Sequence, residues 1–151
     1  IAGVVYDVMN DEVYSAEKGS GAFKNGRKIN VSDSHELQKS LLVTGFPYNI
    51  KDNPKNAFEK FIAFLKEARG VRRLGSAAID CCYLASGAFD GFWEVTLNSW
   101  DICAGHLLIE EAGGKVTNFI GNNIDYNKYD EIELLATNGK IHHEMMRVLN
   151  Q

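Results

Sequence analysis

The chain has 151 residues, 45% of them hydrophobic and 24% charged, with a net charge of −4. That balance fits one globular domain with its own core and excludes a disordered chain. Mild acidity gives no basic footprint for nucleic acid, and no run of about 18 apolar residues suggests a membrane span.

The opening IAGVVYDVMN lacks an initiator Met and the charged start of a signal peptide. It enters a strand pattern directly. Gly3–Tyr6 and Glu12–Glu17 read as strands around the polar Asp7–Asp11. Asn25-Gly26, between AFK and RKINV, is a two-residue hairpin signal, since a type I′ turn needs positive φ at both central positions. The first third is therefore expected to be an antiparallel meander. Leu41–Thr44 is a short apolar strand, and Pro54 is expected to open a helix carrying Ala57, Phe58, Phe61, Ile62, Phe64 and Leu65 at helical spacing. Val71–Leu74 reads as a strand and AAIDCCYLASG as an apolar helix capped by Ser76. Phe89–Leu97 is the next strand, Trp100–Ala112 a helix stopped by Gly113-Gly114, Glu133–Thr137 a strand and Lys140–Leu149 a last helix. Gly121–Asp130 reads as a polar loop. An antiparallel start followed by alternating strands and helices predicts an α/β fold with a mixed sheet.

Cys81, Cys82 and Cys103 are odd in number and fit no zinc spacing, so they are read as buried reduced thiols of a cytoplasmic protein. Arg72 and Arg73 are read as surface or interface charges, His106 as packing, and His142 and His143 as solvated. Glu110-Glu111 oppose the dipole at a helix end and have no explanation in the sequence alone.

Asp101 stands where a strand gives way to an apolar helix. Its plain reading is a helix start, shared with Asn98 and Ser99, because a carboxylate there meets orphan N–H groups and the positive end of the dipole. Its second reading is a ligand for a hard cation, because strand-to-helix turns of α/β sheets line crevices.

The stretch WDICAGHLLIEEAGG resembles the second signature of the inositol monophosphatase family, matching at Trp100, Asp101, Ala104, Gly105, Glu111, Ala112, Gly113 and Gly114. GVVYDVMNDEVYSAEKGSGAFKNGRKINVS, KSLLVTGFP and VRRLGSAAIDCCYLASGAFDGFWE resemble collinear family segments. The resemblance implies a layered αβαβα fold and a Mg²⁺-dependent, lithium-sensitive phosphomonoesterase that is a homodimer when complete. It implies that Asp101 is a metal ligand and that Glu94 bonds substrate hydroxyls. It also implies that Gly75, Ser76 and Ala77 touch the ring of a small phosphorylated polyol. The substrate implied is myo-inositol monophosphate, with fructose 1,6-bisphosphate, histidinol phosphate and 3′-phosphoadenosine nucleotides as alternatives.

The family's first signature, D-P-x-D-G-T-x-N-F, supplies most metal ligands and is absent from this sequence; Asp90-Gly91 is followed by Phe92. Residues 1–151 are therefore expected to be one domain, the C-terminal part of such a fold, inactive alone. The rival class is a non-catalytic binding module on the same scaffold.

Overall fold

The computed structural model describes residues 1–127 and 131–151. β1 (Ala2–Asp7), β2 (Glu12–Glu17), β3 (Gly21–Lys24) and β4 (Arg27–Ile29) form the expected antiparallel meander in sequence order. Asn25 and Gly26 have φ of 49° and 75°, the two positive values a type I′ turn requires, and Lys24 pairs with Arg27 across it.

The second sheet holds β5 (Leu41–Thr44), β6 (Gly70–Arg72), β7 (Gly91–Leu97), β8 (Lys115–Thr117) and β9 (Ile132–Thr137) in the order β6-β5-β7-β9-β8. β5 runs parallel to β6 and β7, whereas β9 is antiparallel to both β7 and β8. The helices are α1 (Ala57–Glu67), α2 (Ala77–Ala85), α3 (Ser99–Glu111) and α4 (His142–Leu149).

Two apolar clusters define the layers. One joins Tyr14 and Ala22 of the meander to Leu84 of α2, Ile102 and Leu108 of α3, and Phe92 and Leu134 of the mixed sheet. The other joins Leu42, Trp93 and Leu135, on the opposite face of that sheet, to Phe64 of α1 and Met145 and Val148 of α4. The stacking is thus sheet, helices, sheet, helices: four consecutive layers of the αβαβα order. Each large side chain fully buried there contributes roughly 1.5–3 kcal/mol.

The small residues at the start of α3 serve this stacking. A Cβ on Gly105 would collide with Cys81 of α2, and one on Gly3 would lie 3.2 Å from Ala104. Helix and strand backbones therefore approach closely.

Several expectations are corrected. Lys55 and Asn56 take φ of 53° and 57°, so Pro54 heads a short 3-10 turn and α1 begins at Ala57. α1 buries Ala57 and Phe64 but leaves Phe58, Ile62 and Leu65 at 42%, 50% and 51% exposure, because only one side of it meets the sheet. Cys103 is exposed, two residues before Gly105 and so on the side of α3 opposite the face that packs on α2. β8 was not anticipated, since three residues after Gly113-Gly114 are too few to display a period. His142 is buried, not solvated: its two ring nitrogens meet Thr117 Oγ1 at 3.0 Å and Thr137 Oγ1 at 2.9 Å. Burial pushes its pKa down to about 4, helped by the charge of Lys115. Of the polar loop, Gly121–Asn127 contains neither helix nor strand, and positions 128–130 lie outside the described residues.

Candidate functional site

Strand periodicity sets the first side chain. Phe92 and Trp93 face opposite clusters, so Glu94 projects on the Phe92 side, toward α2 and α3. It is 7% exposed, on the central strand of the sheet. The chain makes room for it at Gly45, just past β5, where any side chain would run into the Glu94 carboxyl. Thr44 locks this strand end by donating its hydroxyl to the Trp93 carbonyl at 2.7 Å. Between Glu94 and Leu97 the β7–β9 register shifts, a bulge of the kind that re-aims side chains beside sites.

The second wall is the N-terminus of α2. Gly75 has φ of 91°, which turns the chain into the helix. Ser76 caps it, its hydroxyl accepting from the Ile79 N–H at 3.5 Å. Asp80 follows four residues later and so lies above Ser76 on the same side of the helix.

The third wall is the start of α3. Asn98 is the N-cap, and Asp101 Oδ2 accepts from the Asn98 backbone N–H at 3.0 Å and from its Nδ2 at 3.1 Å. Asp101 therefore does start a helix, from the third position rather than as the cap itself.

These walls enclose a crevice of about 860 Å³ lined by Gly45, Gly75, Ser76, Ala77, Asp80, Glu94, Asn98 and Asp101. Phe46, Tyr48 and Trp100 form an aromatic rim, and Arg73 also lines the space with its guanidinium over the Phe46 ring at 5.2 Å. Every position singled out from the sequence as a ligand contact thus lies on one crevice. The sequence reading missed Asp80, which is 1% exposed and has no partner for either carboxylate oxygen among the described residues. An acid inside the apolar run AAIDCCYLA, four residues after a helix cap, was the available signal.

Electrostatics follow from the burial. Burial raises the Asp80 pKa to about 7. Burial first, then the charges of Asp80 and Asp101, push Glu94 up to about 8, against the pull of Arg73. The floor of the crevice is thus protonated in part near neutral pH. The open N–H groups of α2 face the same space and suit oxygen acceptors on a ligand.

Mg²⁺ takes roughly six oxygen ligands, usually with more than one carboxylate or phosphate among them. Asp101 keeps one carboxylate oxygen clear of its capping bonds, but no three His, Cys, Asp or Glu side chains among the described residues come together to hold a metal ion. These residues do not by themselves fit the ion.

Outside the crevice, His106 is bonded through Nδ1 to the Tyr126 hydroxyl, and its Nε2 lies 3.3 Å from Glu110. Arg72 and His143 are exposed there, whereas the equally exposed Arg73 lines the crevice. Glu111 finds its explanation here: its two oxygens accept from the Gly19 and Gly21 N–H groups, each at 2.8 Å, and tie α3 to the β2–β3 turn.

The chain matches the inositol monophosphatase family over residues 1–151. It is 42% identical over 147 residues to an inositol-1-monophosphatase of Synechocystis, covering 97% of this chain and 50% of that protein. It is 43% identical over 122 residues to the Nus factor SuhB of Pseudomonas aeruginosa, covering 80% of this chain and 45% of that one. The solved structure of an inositol monophosphatase from Anabaena superposes with a TM-score of 0.93 at 45% identity, covering 99% of this chain and 58% of that chain. The chain spans about half the length of the curated relatives it matches.

Proposed function

Because the chain belongs to the inositol monophosphatase family, we propose that it forms the polyol-binding side of a Mg²⁺-dependent phosphomonoesterase acting on myo-inositol monophosphate. The observation that supports this reading is a single crevice lined by a helix N-terminus, a buried glutamate and an aspartate with one free oxygen. In it Gly75, Ser76 and Ala77 meet the substrate ring, Glu94 accepts from its hydroxyls, and Asp101 is one ligand of Mg²⁺. Bound Mg²⁺ would supply Lewis-acid activation of water and phosphate. The chain's own residues orient the ring so that its phosphate lies toward Asp101, and the enclosed floor limits water around the leaving oxygen.

Phosphate release from inositol 1-phosphate, with and without Mg²⁺, tests this directly. The 151-residue chain is expected to release none, since no three metal-ligating side chains come together among its described residues. Mg²⁺-dependent release by the purified chain would refute that. In an active protein containing this sequence, Asp101→Asn is expected to lower turnover roughly 100-fold or more while leaving the fold intact. Undiminished turnover removes Asp101 from the metal site. A panel of fructose 1,6-bisphosphate, histidinol phosphate and 3′-phosphoadenosine nucleotides identifies the substrate, and inhibition by Li⁺ tests the lithium sensitivity. Cytoplasmic location and a homodimer belong to the same reading.

The second reading is a non-catalytic binding module on the same scaffold, in which no three metal-ligating side chains come together among the described residues. That reading expects function to survive Asp101→Asn.

A further inference from the structure

The two arginines at the end of β6 are placed differently. Arg72 donates from Nη1 to the Val71 carbonyl at 3.2 Å and does not line the crevice. Arg73 is the one cation among the described residues that line it, and it forms no ion pair among the described residues. Its guanidinium is nonetheless fixed. It lies over the Phe46 ring at 5.2 Å, and Phe46 is itself held by an edge contact with Phe61 at 5.4 Å and a tilted one with Phe58 at 6.5 Å. Stacking uses the face of a guanidinium, while its N–H donors point outward in the plane and stay open. Such a fork, held flat, matches two oxygens of a phosphate.

Strand order sets where the fork stands. β5 runs parallel to β6 and β7, so Arg73, Phe46 and Asp101 follow the same ends of three neighbouring strands. β6, which leads to Arg73, lies two strand spacings, roughly 10 Å, from β7, which leads to Asp101. Phe46 packs on the α1 side of the sheet, whereas α3, which Asp101 starts, packs on the other. One phosphate cannot serve both ends. The other charged side chains lining the crevice are the acids Asp80, Glu94 and Asp101, so its lip at Arg73 is the part that attracts an anion without a metal ion.

We propose that Arg73, held flat on Phe46, is an outer subsite for a second phosphate of the ligand. A polyol with one phosphate toward Asp101 and another at Arg73 is then bound more tightly than the same polyol with one. The place of the first phosphate rests on the proposed role of Asp101; the hold of Arg73 on a phosphate does not.

Arginine Nε–H NMR of the chain, titrated with inorganic phosphate at constant ionic strength, tests the subsite without substrate or metal. The Arg73 signal is expected to shift and saturate while that of Arg72 serves as the exposed control. Phe46→Leu, which keeps the charge and removes the stack, is expected to weaken that binding several-fold. An Arg73 shift no larger than that of Arg72 overturns the proposal, and binding unmoved by Phe46→Leu overturns the stacked fork. In an active protein containing this sequence, myo-inositol 1,4-bisphosphate is expected to compete for the site roughly tenfold more tightly than myo-inositol 1-phosphate, and Arg73→Gln to remove that advantage while sparing turnover of the 1-phosphate. Equal affinities in the wild type, or an advantage that survives Arg73→Gln, reject the second-phosphate role. Absence of 1-phosphate turnover instead removes the proposed reaction, and a saturable Arg73 shift in the chain then still assigns the phosphate subsite.

Discussion

At the residue scale the crevice stores cost. Asp80 has a folded-state pKa of about 7, above the ordinary 3.8, so the folded protein binds more protons than the unfolded chain between those values. Its contribution to stability is fully present below about pH 4 and is lost as pH rises to about 7. Asp80→Asn, neutral throughout, is therefore expected to stabilise the protein at pH 8 by on the order of 3 kcal/mol. Urea unfolding should show the gap closing toward pH 4; equal stabilities at pH 8 would discard the account. His142 works the other way. With a folded pKa of about 4 it stays neutral when unfolded chains protonate, so its contribution is lost as pH falls from about 6.5 to about 4. The loss is roughly 3 kcal/mol, and a histidine NMR titration should find that ring still neutral at pH 5. A midpoint near 6.5 would contradict the burial between Thr117 and Thr137.

At the scale of elements, two contacts decide how α3 sits. Its N-terminal half meets α2 with Gly105 against Cys81. Gly105→Ala is expected to force the helices apart and cost about 1–3 kcal/mol, despite the better helix propensity of alanine. A neutral or stabilising result in thermal unfolding would mean that Cys81 yields without strain. Its C-terminal end is pinned by Glu111 to the Gly19 and Gly21 amides, and these bonds hold the Glu111 pKa below its ordinary value. Glu111→Ala is expected to speed hydrogen exchange at those two amides; unchanged protection there would show the turn to be held by its own backbone. Neither partner of this pairing is visible from local sequence, since the contact spans 92 residues from Gly19 to Glu111. The hairpin at Asn25-Gly26 was legible because its cause is local.

At the scale of the molecule, the helix layers differ in how completely they are covered. α2 and α3 lie between two sheets, whereas α1 keeps Phe58, Ile62 and Leu65 in solvent at positions spaced along one side. Exposed apolar stripes of this kind favour association. Replacing Ile62 and Leu65 by Lys is expected to reduce self-association in sedimentation experiments while leaving the circular dichroism unchanged. An identical sedimentation profile would place any interface elsewhere.

The sequence by itself determined what short-range physics dictates: the meander, the helical stretches with the Ser76 cap, the mixed α/β class, and the Asp101 turn through WDICAGHLLIEEAGG. It also singled out Glu94, Gly75, Ser76 and Ala77, all of which line one crevice. Only the tertiary structure decided burial and partnership. Glu94 and His142 turned out buried because a strand face and a helix end close against elements distant in sequence. Asp80 came to light because its solvent is excluded by β7 and α3, not by its own helix. Titration depends on that exclusion of water, which no local pattern of residues encodes.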